Sequence, residues 1–222
     1  MRYTPVILLF CATLILGGCL TLETPTVANN TVSAQNVGRR GFSFPLPPGY
    51  QASTPEEFES LAHAEASAGS QMVMNMITEA RQTYNSSGKT LFIYRPDELI
   101  AGNFRTIIIF TYSLHNVPEP LDKHTAIRDM VMARSRNNTT ARLSEVRKIT
   151  SSSTFELNGR PWNRITGVDS ERIDGKTYQS YMCTLLTAGD LNDVYTFIGF
   201  TYEPDGGDLE QVMDNMANQM KL

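Results

Sequence analysis

A sulfur is the best-placed reactive atom in this sequence. Cys19 follows Leu16-Gly17-Gly18 at the close of an apolar run, and two small residues before it leave the adjoining peptide bond open to a peptidase. Its thiol is the nucleophile such a position offers, so Cys19 is the candidate for covalent acylation. Other groups are spaced less tellingly. Glu59 and His63 stand four apart, about one turn of a helix, and could make an acid/base pair. An ordinary ion pair on a solvated helix face accounts for the same spacing and is preferred. His63, His115 and His124 show no metal spacing of the HExxH kind, and neither a GxSxG elbow nor a Walker loop occurs. No catalytic, metal or cofactor-binding residue is assigned, and no cofactor is expected.

Three further sets of residues have side chains that could do chemistry. Asp190, Asn192 and Asp193 are oxygen-rich, but they lack the glycine and distal glutamate of a calcium loop and read as a hairpin turn. Met72, Met74 and Met76 alternate, and thioethers so spaced on a strand could hold Cu(I). On a helix Met74 points away from the other two, and helix is the preferred state, so Met72 and Met76 read as core. Cys183 lies in Tyr181-Met182-Cys183-Thr184-Leu185-Leu186, a buried-strand pattern, and reads as a structural thiol.

The elements that position Cys19 come first in the chain. Pro5 to Leu16 is apolar over 12 residues, short of the ~20 that a spanning helix needs, so it reads as the core of a signal peptide. Leu16-Gly17-Gly18-Cys19 resembles the lipobox of bacterial lipoproteins. The resemblance implies a diacylglyceryl group on the Cys19 sulfur, cleavage before Cys19, and acylation of the new amine, palmitate being the usual label. Each buried methylene contributes ~0.8 kcal/mol, so two or three chains hold almost permanently. Cys11 sits behind bulky Phe10 and leaves with the leader. Leu20, not Asp, follows the cysteine, which by the sorting rule of many Gram-negative bacteria implies the outer membrane, facing the periplasm.

Composition narrows the class. The formal charge of −4 becomes −5 when residues 1–18 remove Arg2, and a mildly acidic, mixed-sign chain is a poor partner for nucleic acid. With Cys11 lost and Cys19 acylated, Cys183 has no partner for an internal disulfide. Residues 20–40 carry no sustained apolar period and read as a flexible tether with an end-to-end distance of roughly 25 Å. One domain is expected over 41–222.

Within that domain the patterns are local and mixed. Phe42-Ser43-Phe44 alternates as a strand, and Thr54-Pro55-Glu56-Glu57 starts a helix with a capping threonine, a first-turn proline and a glutamate three residues on. Phe58, Leu61 and Ala62 give that helix its apolar face. Helices are also predicted over 70–84 and 122–137, and strands over 90–95 and 105–114 joined by a loop at 96–104. From 145 the pattern is strands: 145–157 turns at Asn158-Gly159 into 160–168, then 176–187 follows a turn near Asp174-Gly175. Val194 to Tyr202 is apolar on both alternations and reads as a central strand covered on both faces. Leu209, Val212, Met213, Met216 and Met220 stripe a closing helix, with Glu210, Gln211, Asp214 and Asn218 assigned mostly to solvent.

Strands and helices in this order predict an α+β domain with a mainly antiparallel sheet and helices packed on its faces. The opening Phe42-Ser43-Phe44-Pro45-Leu46-Pro47-Pro48-Gly49-Tyr50, the hairpin Leu157-Asn158-Gly159-Arg160-Pro161-Trp162 and the amphipathic last helix resemble the PsbP-like superfamily. That group includes a photosystem extrinsic subunit and the DcrB-like lipoproteins. The resemblance implies a non-enzymatic binding or assembly factor with an envelope protein as partner, and it supplies no catalytic residue. The alternative is an envelope hydrolase whose site is assembled from residues distant in sequence.

Overall fold

Asn29 and Asn30 turn the chain back on itself with left-handed backbone, φ 49° and 54°, the type I′ geometry whose twist suits a two-residue hairpin. They join β1 (Thr26–Ala28) to β2 (Thr31–Asn36), and β3 (Arg39–Pro45) completes a three-stranded antiparallel sheet. The structure, a computed structural model, describes residues 25–36, 39–64, 88–100, 106–114, 144–173, 176–189, 193–203 and 206–222. The helices expected over 70–84 and 122–137 lie outside those residues.

The small sheet corrects the domain boundary. Residues 26–36 fall inside the segment expected to be a flexible tether, yet they are strands. The reason is burial at period two: Val32 and Ala34 pair with Phe44 and Phe42, and all four are buried. Pro25 is buried as well. The folded domain therefore starts by Pro25, not at Gly41.

A second, seven-stranded sheet takes the remaining described strands. Its strands are β4 (Gln51–Ser53), β5 (Gly88–Tyr94), β6 (Thr106–Leu114), β7 (Ser144–Leu157), β8 (Arg160–Ile173), β9 (Lys176–Ala188) and β10 (Asp193–Thr201), in the order β4-β5-β6-β10-β9-β8-β7. Every neighbouring pair is antiparallel. The Asn158-Gly159 hairpin forms as its sequence demands, with φ 52° and 69°. β10 takes the centre of the sheet, as its doubly apolar pattern predicts: Tyr195 and Phe197 are buried on one face and Val194 on the other.

The two faces are covered differently. β3 lies across one face and lays Phe42 and Phe44 on β6 and β10, with ring centroids 4.9 Å apart for Phe42–Tyr112, 4.8 Å for Phe44–Phe110 and 5.2 Å for Phe44–Phe197. Edge-to-face rings at such spacing add about 0.5–1.5 kcal/mol per pair beyond burial. α1 (Pro55–Ala64) covers part of the opposite face, where Phe58 stacks on Phe92 at 4.8 Å. Its capping box is present: Thr54 N–H donates to Glu57 Oε2 at 2.9 Å and Glu57 N–H to Thr54 Oγ1 at 3.3 Å. Leu61, expected in the apolar face, is instead exposed. The loop expected at 96–104 opens with a short helix, α2 (Pro96–Ile100), whose proline and acidic first turn favour a start there.

α3 (Leu209–Asn218) completes the covered face. Leu209, Met213, Met216 and Ala217 are buried, as is Met220 just beyond the helix. It can lie close because Gly199 of β10 has no side chain under it; a Cβ there would meet Leu209 Cδ1 at 2.5 Å and Met213 Sδ at 2.6 Å. The chain end then ties three parts together. Lys221 exchanges two backbone bonds with Ser43 of β3, at 3.0 and 2.8 Å, and Asn158 Nδ2 donates to Met220 O at 3.0 Å. No helix among the described residues is long and apolar enough to cross a membrane.

Candidate functional site

Among the described residues, a group of ionisable side chains gathers where α3 crosses β8 and β9. Trp162, Arg164 and Thr166 follow one another at period two on β8, so Arg164 points to the covered face between two buried residues. A guanidinium so placed has to find anions, and α3 provides two at positions i and i+4. Arg164 Nη1 lies 2.9 Å from Glu210 Oε2, and Nη2 reaches both Asp214 oxygens at 2.5 Å. Tyr181 of β9 donates its hydroxyl to Glu210. From below, Phe155 of β7 holds the guanidinium carbon 4.5 Å from its ring centroid.

This cluster corrects the assignment of Glu210 and Asp214 to solvent. Their side chains are 36% and 31% exposed and bonded to an Arg164 that is 20% exposed. Burial alone lowers the Arg164 pKa, but the hydrogen bond and charge of Asp214, then the charge of Glu210, more than offset it, and the net shift is upward. The guanidinium is therefore a permanent cation. Tyr181 is pushed up to about 12, first by burial and then by its bond to Glu210. Both carboxylates are engaged by fixed donors, so the arrangement clamps α3 to the sheet.

Cys183 sits next to this group on β9. The thiol is buried, and burial first, then Glu210, raises its pKa to about 12 against a smaller opposing pull from Arg164. It stays protonated at neutral pH, which makes it a packing residue, as its strand pattern implies.

A second cluster gathers at the end of the sheet where β4, β5 and β6 meet. Arg95 lies 3.7 Å from Asp97 and 3.6 Å from Glu98, Glu98 Oε2 accepts the Thr106 N–H at 3.1 Å, and Thr106 bonds Thr201 at 3.1 Å. Tyr50 is raised to about 12, by burial and then by the charges of Asp208 and Glu98. These groups tie α2 to the strand ends.

The residues singled out from sequence are placed as follows. Glu59 and His63 both fall on α1, with Glu59 half-buried and the His63 side chain outside the described residues. Asp193 is buried at the start of β10, where its carbonyl accepts the Gly189 N–H at 2.8 Å and its side chain bonds the Tyr195 hydroxyl. Cys19, Met72, Met74, Met76, His115, His124, Asp190 and Asn192 lie outside the described residues. Among those described, no three His, Cys, Asp or Glu side chains are grouped to hold a metal ion.

Two packed layers on an antiparallel sheet, closed by a helix, define an α+β domain, and comparison with solved structures specifies which one. No protein-family model matches the chain, and no curated protein sequence does. The solution structure of cyanobacterial PsbP (CyanoP) from Synechocystis sp. PCC 6803 superposes with a TM-score of 0.51 at 11% identity, over 94% of this chain and 99% of that one. LpqN of Mycobacterium tuberculosis, described as involved in cell envelope biogenesis, gives 0.44 at 11% identity over 95% of each chain. A Bacteroides thetaiotaomicron VPI-5482 protein gives 0.40 at 13% identity, over 81% of this chain and 44% of that one. The domain has a PsbP-like α+β fold.

Proposed function

We propose that this chain is a lipid-anchored cell-envelope protein, held by acylated Cys19 in the outer membrane and facing the periplasm, where it acts as a non-enzymatic binding or assembly factor. The observation that carries the reading is Leu16-Gly17-Gly18-Cys19 behind a 12-residue apolar core. The PsbP-like fold is in keeping with it, and the ionisable groups at α3 are engaged in holding the helix. Because the fold starts by Pro25, the link from Cys19 is shorter than the sequence alone suggests. Six residue steps span at most roughly 20 Å, so the small sheet stays close to the lipid headgroups.

Radiolabelled palmitate tests the anchor. Wild type incorporates label and is cleaved before Cys19; Cys19→Ser does neither and stays full-length. Equal labelling of the two refutes the reading. Affinity capture from detergent-solubilised envelopes, with the anchor intact, then identifies the partner.

A further inference from the structure

β7 closes the seven-stranded sheet, with β8 as its one neighbour among the described strands. Natural sheets protect such edges with charge, proline or bulges. β7 does so through its first half and beside the turn. Its register slips between Ser144 and Val146 and between Ile149 and Ser151, Glu145, Arg147 and Lys148 fall in the first half, and Glu156 adjoins the turn. Between them Ser151-Ser152-Ser153-Thr154 carries no charge, no proline and no register slip, and all of it is exposed. Alternate residues point to opposite faces, so the sheet is open to solvent on both sides here.

The turn fixes which backbone groups face outward. In a two-residue hairpin the flanking pair, Leu157 and Arg160, exchanges both backbone bonds, and so do Phe155 with Trp162 and Ser153 with Arg164. The N–H and C=O groups of Ser152, Thr154 and Glu156 therefore point out of the sheet. Pro161, which has no N–H, stands opposite Glu156, where β7 requires no donor.

The geometry points to a second copy of this chain as the occupant: its β7 adds antiparallel to this one across a two-fold axis at Thr154, and the two sheets become continuous. That register alone pairs all three outward-facing residues with one another and leaves the bulged Thr150 out. Thr154 meets the partner's Thr154, and Ser152 meets the partner's Glu156, so a hydroxyl faces a carboxylate and like charges are nowhere opposed. A foreign peptide on a sheet edge is selected by pockets for its alternate side chains. Here hydroxyls flank the edge where such pockets would be, and a second copy brings matching ones. The contact is isologous and closes as a dimer.

Sedimentation equilibrium of the full chain in detergent, over a series of concentrations, tests this. Wild type associates to a dimer. Ser152→Pro removes an outward N–H without touching the β7–β8 ladder, and it yields a monomer with unchanged circular dichroism. Charge at the same position reads the register. Ser152→Glu opposes the partner's Glu156 twice about the axis and weakens association roughly tenfold, whereas Ser152→Lys strengthens it by a similar factor. A monomer at every concentration overturns the proposal, as does a dimer indifferent to the sign of charge at 152. If Ser152→Pro fails to fold, the Glu and Lys variants decide alone.

Discussion

Gly199→Ala tests how α3 is seated. The added methyl would stand 2.5 Å from Leu209 Cδ1 and 2.6 Å from Met213 Sδ, whereas carbon contacts settle near 3.5–4.0 Å. About 1 Å of room is missing on both sides. Leu209 and Met213 are each 0% exposed, so neither side chain can swing into solvent, and α3 has to lift or the core repack. Overpacking of this kind costs about 1–3 kcal/mol. Against it, replacing glycine restrains the unfolded chain and returns about 0.4–1 kcal/mol. The net expectation is a loss of about 1–2 kcal/mol, read by urea denaturation as a lower midpoint at unchanged slope. Met213→Ala supplies the control. Alone it costs about 2–5 kcal/mol, but it opens the space the new methyl needs, so the double variant loses about 1 kcal/mol less than the sum of the two. A Gly199→Ala protein as stable as wild type, or strict additivity in the cycle, would refute this account of α3.

Two further outcomes follow from burial. A chain beginning at Gly41 loses β1 and β2, and with them the cover that Val32 and Ala34 give Phe42 and Phe44; it unfolds at a markedly lower temperature than one beginning at Pro25, and equal melting temperatures would restore the tether as first read. Stability also falls in alkali. Cys183 is raised from 9.0 to about 12, and Tyr50 and Tyr181 from 10.0 to about 12, so in that window the unfolded chain has lost protons the folded one keeps, and stability present below pH 9 is progressively lost toward pH 12. Melting scans from pH 7 to 11 show the fall, and Tyr181→Phe, which cannot ionise, shows a shallower one; identical slopes would refute the assignment.

Features governed by a few neighbouring residues were legible in the sequence. The Thr54 capping box, the Asn158-Gly159 turn and the Leu209, Met213 and Met216 face of α3 each depend on spacing within one element, and each forms as read, although Val212 is only partly buried and Met220 packs from beyond the helix end. The first hairpin was missed because its apolar content is small. Val32 and Ala34 are modest hydrophobes among Thr, Ser and Asn, and they become core only through Phe42 and Phe44 across the register. One local signal was available: Asn29-Asn30, a pair tolerant of positive φ, flanked by Thr-Val-Ala and Thr-Val-Ser.

The Arg164 cluster was illegible for a different reason. Its bond to Asp214 joins residues 50 apart in sequence, and no periodicity of α3 distinguishes an acid that faces water from one that faces a cation on the strand beneath. On β8 the anomaly was nonetheless visible, since Arg164 occupies the inward phase set by Trp162. A cation in that phase requires anions on the covering element, and Glu210 and Asp214, four apart on the last helix, are so spaced. The inference therefore runs from the misplaced charge to the packing. An inward arginine on a strand predicts which helix covers it, and by which face, before any contact is seen.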